Sequence, residues 1–290
     1  MDCFVEPGPV LFESFQDYAY INRHRNNIIL PSLDIRAWMK VNLLKLNDDK
    51  TELIVITSRG STSERLGISL QVGNELVKMK DEFPKNLGVI FNSTCSLKEH
   101  IEGLRKNINF NLYSLGKIRR SLDRSSTEKL VNCLITSKMD YCNSLMYGLP
   151  YNHIEPLQLC QNHAARIITL RRKHDNITPC LMSLHWLPVQ FRIDYKMLLF
   201  TYKAIHNLAP PYLCDLVRPY VPLRPGLRSA DQGLLHPTPW RLKTFGRRSF
   251  QVAAPTLWAG LPPELRQSPS LDIFKKHLKT FLFKKAFDLH

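Results

Sequence analysis

Residues 38–56, WMKVNLLKLNDDKTELIVI, join an amphipathic helix to an apolar strand through a short polar turn. Asn47, Asp48 and Asp49 supply the turn, because short polar side chains bond the backbone of a reversing chain. The segment 53–56, flanked by threonines, predicts a buried β-strand. The helix is predicted from apolar residues that share one face at spacings of three and four: Ile35, Trp38, Met39, Leu43 and Leu46. Lys50 ends the turn, and the functional reasoning below starts from it.

A small antiparallel sheet is predicted downstream of this strand. Two short extended runs, 66–72 and 75–79, flank Gly73-Asn74 and predict a hairpin. A further strand at 86–91, NLGVIF, is expected to pair with this hairpin. From Leu97 the apolar period changes from about two to about 3.6, so the remainder is predicted to be helical. The fold class is therefore α+β, with a small antiparallel sheet, a flanking helix and a mostly α-helical remainder.

The helical region divides into segments with an apolar stripe and charged residues on the opposite side. The segments lie near 98–120, 126–147, 153–171, 190–207 and 270–287. Prolines punctuate them, because proline cannot donate the helical hydrogen bond. Ser268 and Pro269 are predicted to cap and open the last helix. The proline-rich stretch 219–246 is predicted to be a linker or an extended arm.

The composition favours a polyanionic partner. The chain of 290 residues has 40 Lys and Arg against 25 Asp and Glu, a formal net charge of +15. Such an excess is typical of nucleic-acid-binding proteins more than of metabolic enzymes. A basic surface that binds nothing is the alternative. Seven scattered cysteines without a C-x-x-C pair favour reduced, mostly buried thiols and an intracellular location, in the nucleus or the cytoplasm. We expect no membrane span and no secretory leader.

Several candidate sites for other chemistry are weighed against structural roles. Cys160, His163, His174, Cys180 and His185 suggest zinc, but their spacings match no common zinc pattern. No G-x-S-x-G elbow, P-loop or dinucleotide fingerprint is present. Five aromatic residues can stack on unpaired bases or fill the core: Trp186, Tyr195, Tyr202, Trp240 and Trp258.

Five blocks of sequence resemble, in order, the C-terminal part of the reverse transcriptases of non-LTR (LINE-type, jockey-like) retrotransposons. They are IRAWMKVNLLKLNDDKTELIVI (35–56), NLGVIFNSTCSLKEHI (86–101), KLVNCLITSKMDYCNSLMYGLP (129–150), and the segments 158–213 and 242–283. The resemblance covers about residues 33–287. It implies an irregular N-terminus (1–31), a remnant of the polymerase palm (32–96), thumb-like helices (97–148) and a helical C-terminal region (149–290).

The resemblance also assigns roles to residues. Lys50 matches a lysine that acts as general acid toward the leaving pyrophosphate. Leu87 and Gly88 match the primer-grip strand, where glycine lets backbones approach closely. Basic residues of the thumb and C-terminal region are candidates for phosphate contacts with RNA or DNA, and a solvated or helix-capping role is the alternative. These residues are Lys117, Arg119, Arg120, Arg166, Arg171, Arg172, Lys173, Lys275, Lys276 and Lys279.

The sequence departs from the family at the catalytic centre. Polymerase chemistry needs carboxylates that hold two divalent metal ions, and the family's aromatic-Ala-Asp-Asp turn has no counterpart here. We therefore expect a truncated protein that binds nucleic acid without catalysis, and Mg²⁺ only if the missing palm motifs were supplied. The alternative is a helical protein-interaction scaffold derived from the same element. An element-encoded protein or a second copy of the chain are further partners, since the palm strand has lost its neighbours.

Overall fold

The computed structural model describes residues 37–44, 53, 69–72, 75–78, 83–222, 232–241 and 246–289. The predicted turn with Lys50, and the strand after it except for Leu53, lie outside these residues. Residues 37–41 are helical, followed by a turn at 42–43, so the predicted helix ends earlier than its apolar pattern suggested. The chain divides into two compact units, 1–100 and 101–290, and each is described by itself.

The first unit contains two antiparallel hairpins. Strands β1 (Ser69–Val72) and β2 (Glu75–Lys78) pair with Val72 opposite Glu75, which confirms the predicted hairpin around Gly73-Asn74. Strands β3 (Lys85–Asn86) and β4 (Val89–Ile90) form the second hairpin.

The prediction of one strand over 86–91 is wrong. Leu87 and Gly88 form the turn between β3 and β4, with φ of 47° and 82°. Two successive residues with positive φ are typical of the tight turns that match the twist of a hairpin. Among the described strands, β3 and β4 pair only with each other and do not extend the β1–β2 sheet.

Helices make up the rest of the described chain. They are α1 (Lys98–Ile118), α2 (Arg124–Val131), α3 (Ser137–Asp140), α4 (Tyr151–Thr169), α5 (Thr178–Ser183), α6 (Val189–Ile205), α7 (Pro211–Cys214), α8 (Phe250–Ala259), α9 (Pro263–Arg266) and α10 (Leu271–Ala286). Single 3₁₀ turns occur at Arg119–Ser121 and Asn143–Met146. A π-helical segment, Asn132–Thr136, joins α2 to α3. The chain is thus mostly helical with small antiparallel sheets, which is α+β in the general sense.

All five predicted helical segments are confirmed. The short helices α5, α7, α8 and α9 lie outside those predictions. Prolines open three of them, as at Pro179, Pro211 and Pro263, since the first-turn N–H has no helical partner to lose. No helix among the described residues is long and apolar enough to cross a membrane.

Helix α6 is the centre of the 101–290 unit, in contact with α4, α7, α8 and α10. Its buried residues lie on several sides of the helix, which suits a helix surrounded by others. Tyr202 of α6 stacks on Phe274 of α10 with ring centroids 4.3 Å apart, and Trp258 of α8 lies 5.7 Å from Phe274. All three side chains are buried, so the prediction of a core role holds for Tyr202 and Trp258.

The described part of the 219–246 stretch packs on this core. Pro219 forms an isolated antiparallel bridge with Leu235, which is 7% exposed. The Trp258 indole Nε1 donates to the carbonyl of Gly233 at 2.8 Å. Because these contacts hold the stretch against α8, it is an extended arm of this unit and not a free linker.

The cap of α10 differs from the predicted one. Ser270, not Ser268, is the N-cap residue, and its hydroxyl accepts from the Ile273 N–H at 3.4 Å. Ser268 is buried, and its hydroxyl donates to the Leu265 carbonyl at 2.7 Å. The predicted apolar face is confirmed, since Phe274, Leu278 and Leu282 are buried.

The described cysteines carry free thiols, as the sequence predicted. Cys160 and Cys180 are buried, Cys133 is exposed, and Cys95, Cys142 and Cys214 are half-buried. The expectation that most are buried is therefore wrong for the described residues.

Candidate nucleic-acid interface

Helix α4 has a face that the core does not cover. Its buried residues, among them Leu157, Ala164 and Ile168, face the rest of the unit. Leu159, His163, Arg166, Ile167 and Leu170 recur at helical spacing and line a groove instead. Leu159 is 60% exposed and Leu170 is 71% exposed. The sequence therefore turns a second, mixed apolar and basic stripe away from the core.

This basic groove has a volume of about 580 Å³ and is bounded by α1, the 3₁₀ turn after it, α4 and the loop that follows α4. Four cationic side chains line it: Arg119, Arg166, Arg171 and Lys173. Its described lining contains no Asp or Glu. A groove with one sign of charge and partly apolar walls concentrates counter-ions of the opposite charge. The structure thus brings together four of the residues that the sequence marked for phosphate contact.

Arg119 has a structural role in the wall of the basic groove. Its guanidinium donates to the carbonyls of Ile167 at 2.8 Å, Ile168 at 3.2 Å and Leu122 at 2.7 Å. Ile167 and Ile168 lie in the last turn of α4, where carbonyls lack helical partners. A cation there also complements the helix dipole. Arg119 therefore fits the helix-capping alternative and fixes the 3₁₀ turn against α4.

Arg166 is held at the inner side of the basic groove. Its Nη2 donates to the backbone carbonyl of Asp175 at 3.3 Å. Its Nε is buried and has no acceptor among the described residues. An unsatisfied buried donor on a cation costs free energy unless an acceptor arrives. A phosphate or carboxylate oxygen in the groove would supply that acceptor.

The loop after α4 carries the most exposed cations. Leu170 ends the helix in the left-handed conformation, with φ of 56°. The Asp175 carboxylate then accepts from the Arg172 N–H at 2.9 Å and closes the loop. The side chains of Arg171, Arg172 and Lys173 are exposed, and no carboxylate of the described chain pairs with them. These three cations are free to meet an anionic ligand.

His163 adds a titratable group to the basic groove. Partial burial of its imidazole lowers its pKa from the ordinary value of 6.5, and the charge of Arg166 lowers this pKa further. A neutral ring next to several cations is the expected state near pH 7. An anion bound in the groove would favour the protonated ring and raise this pKa.

The other predicted contact residues lie elsewhere. Lys117 and Arg120 are exposed near the groove but do not line it, and the Lys117 ammonium sits 4.4 Å above the Tyr113 ring centroid. Lys275, Lys276 and Lys279 are on α10; Lys275 pairs with Asp272 at 3.0 Å. Lys279 lines a different pocket. Leu87 and Gly88 belong to the first unit.

The residues weighed for zinc do not form a ligand set. Cys160 is buried, and its thiol donates to Asn109 Oδ1 at 3.5 Å. His185 stacks on Phe283 with centroids 5.9 Å apart. In the described ranges, no three His, Cys, Asp or Glu side chains form a group that could hold a metal ion. Asp48 and Asp49 lie outside those ranges, so no metal site is derived from them.

Sequence reasoning missed His163, Leu159 and Leu170 as parts of the basic groove. Their 4-, 3- and 4-residue spacing with Arg166 was a detectable signal, because it places all four on one side of a helix. What the sequence could not reveal is that no other element packs over this stripe.

Comparison with protein-family models, with curated protein sequences and with solved structures finds no match to this chain.

Proposed function

We propose that this chain is a nucleic-acid-binding protein that holds RNA or DNA by its phosphates in the basic groove. The observation that carries the proposal is a groove with four cations and no carboxylate in its described lining. Phosphate contacts by Lys and Arg release condensed counter-ions, which gives affinity without sequence preference. The net charge of +15 supports the same partner class.

The arrangement of the basic groove suits a single strand. Arg171 and Lys173 offer exposed cationic heads, whereas Arg166 offers a buried donor that lacks an acceptor. Leu159 and Leu170 provide apolar surface beside these cations. Proteins that bind single strands combine such a charged track with surfaces for unpaired bases.

The family that we propose is the one suggested by the ordered sequence blocks. The chain would derive from the C-terminal part of a non-LTR retrotransposon reverse transcriptase, with palm-derived residues at 32–96 and thumb-derived helices from 97. Lys50 would be the general acid, and Leu87 and Gly88 would belong to the primer grip. The hairpin turn observed at these two residues brings backbone, not side chain, to the surface of that grip.

Catalysis by this chain alone is not part of the proposal, because the family's metal-binding carboxylates have no counterpart in the sequence. We expect no primer extension with Mg²⁺ or Mn²⁺. Nucleotide incorporation that Lys50→Ala abolishes would contradict this expectation.

Binding of a fluorescent single-stranded RNA to the full chain tests the proposal. We expect Arg171→Gln combined with Lys173→Gln to weaken binding at least about tenfold, since each charged contact contributes about 1.5–3 kcal/mol. The matched control is Lys106→Gln with Lys129→Gln, which removes the same charge from two exposed lysines outside the groove. Equal loss in both double variants, or no binding by the native chain at low salt, would contradict the proposal.

A second candidate function is a protein-interaction scaffold. Phe110 is 70% exposed and Tyr113 is 63% exposed on the same side of α1. Two neighbouring aromatic residues in water are typical of a surface that another protein covers. A nuclease-resistant protein complex that Phe110→Ser disrupts would favour this function, whereas a complex lost on nuclease treatment would favour the basic groove.

A further inference from the structure

A second pocket of the 101–290 unit has a polar floor. It has a volume of about 410 Å³ and lies between the α2–α3 helix and α6, with Lys279 of α10 at its side. Asp140 and Arg192 form a two-fold contact here, with Arg192 Nε 2.8 Å from Asp140 Oδ1 and Arg192 Nη2 against Oδ2. Small-molecule sites in proteins have volumes of about 300–1,000 Å³, so this nucleotide pocket, as we name it, is large enough for one nucleotide.

Asn143 provides an unused acceptor in the nucleotide pocket. The residue is 2% exposed, and its Nδ2 donates to Asp140 Oδ1 at 3.4 Å. That contact orients the amide, because the oxygen would repel the carboxylate. Asn143 Oδ1 is therefore left buried with no donor among the described residues. Buried polar atoms without partners are rare, and this one lines a pocket where a ligand N–H can reach it.

The backbone beside this acceptor is also unusual. The nucleotide pocket is lined by Asn132 and Thr136, the two ends of the π-helical segment between α2 and α3. π-helical segments are rare and occur frequently at functional sites. This local change of helical register is a second observation, independent of Asn143, that marks the same place.

The remaining lining selects the ligand chemistry. Trp186 and Tyr195 contribute half-buried rings. Lys196 and Lys279 add two cations beyond the neutralised Asp140–Arg192 pair, so the lining has an excess of positive charge. Flat rings, one buried acceptor and two cations together match a flat heterocycle that carries an N–H donor and an attached phosphate.

We propose that the nucleotide pocket binds one unpaired nucleotide of the strand held in the basic groove. An N–H of the base donates to Asn143 Oδ1, the base packs against Trp186 or Tyr195, and the phosphate lies toward Lys196 and Lys279. This inference rests on the proposed nucleic-acid binding and adds a base contact to it. Base stacking on aromatic side chains tolerates any sequence, whereas the single acceptor requires a donor on the base.

Titration calorimetry of the full chain with the four nucleoside 5′-monophosphates tests this inference. We expect one site per chain, about tenfold weaker binding by Asn143→Ala, and severalfold weaker binding by Lys279→Gln. Lys276→Gln is the matched control, since Lys276 is exposed on the same helix and does not line the pocket. Binding unchanged in both pocket variants, or no heat at millimolar nucleotide, would overturn the inference. If Asn143→Ala does not fold, as circular dichroism would reveal, Lys279→Gln against Lys276→Gln decides the result.

The two proposals fail in different ways. Arg171→Gln with Lys173→Gln should weaken binding of a strand and leave nucleoside monophosphate binding unchanged. Salt-dependent strand binding without any mononucleotide binding would overturn the nucleotide pocket and leave the basic groove in place. Mononucleotide binding without strand binding would contradict the basic groove.

Discussion

Replacing Asp194 by asparagine is expected to stabilise the 101–290 unit near neutral pH. Asp194 lies on α6, the central helix, and Gln190 Nε2 contacts its Oδ1 at 3.4 Å. Burial raises the pKa of Asp194 from 3.8 to about 6, although the Gln190 contact and the charge of Lys285 act in the opposite direction. The folded state thus holds the proton on Asp194 more tightly than the unfolded chain does.

The sign and size of the effect follow from this difference. A raised carboxyl pKa stabilises the fold fully below pH 3.8, and this contribution is lost as the pH rises through about 6. The difference of about 2.2 pKa units corresponds to about 3 kcal/mol at pH 7.5 and about 1.6 kcal/mol at pH 5. Asparagine has the same shape and no charge, so Asp194→Asn should recover this free energy of unfolding.

Chemical and thermal unfolding followed by circular dichroism measure the gap. At pH 7.5 the variant should unfold about 6–12 °C above the native chain, and less far above it at pH 5. Glu155→Gln removes an exposed carboxylate from α4 and is the control, with an expected change within about 0.5 kcal/mol. A gap that is absent at pH 7.5, or of equal size at pH 5 and pH 7.5, would refute the reasoning.

Two further predictions concern the basic groove. Arg119→Met should lower the free energy of unfolding by about 2 kcal/mol, because it leaves the carbonyls of Leu122, Ile167 and Ile168 without their shared donor; Arg120→Met, at an exposed neighbour, should change stability little in urea unfolding, and equal effects would show that the capping contacts contribute nothing. The pKa of His163, lowered by partial burial and by Arg166, should rise when single-stranded RNA is added, as followed by NMR of the imidazole; an unchanged pKa at saturating RNA would place the strand away from the groove.

The helices could be predicted because their signal is local. Apolar spacing found the α1, α4, α6 and α10 segments, and the Gly73-Asn74 pair found the first hairpin. The segment 86–91 misled because its residues are typical of a strand. Its Leu87-Gly88 pair takes positive φ at both positions, a preference that the apolar pattern does not contain.

The candidate sites depended on contacts that are distant in sequence. Arg119 and Ile167 meet across α1 and α4, and this contact turns a predicted phosphate ligand into a helix cap. Asn143 and Arg192 meet only through Asp140. Charge patterning could therefore find the basic loop after α4, whereas the nucleotide pocket required the packed structure.

The salt dependence of strand binding tests the central claim most directly. For a single strand, log K falls against log salt with a slope of about −0.7 for each phosphate contacted. The native chain should show a steep slope, and removing the cations of Arg171 and Lys173 should make it shallower by about 1.4, while Lys106→Gln with Lys129→Gln leaves it unchanged. A slope that is the same in the native chain and the Arg171→Gln, Lys173→Gln variant would contradict phosphate binding in the basic groove.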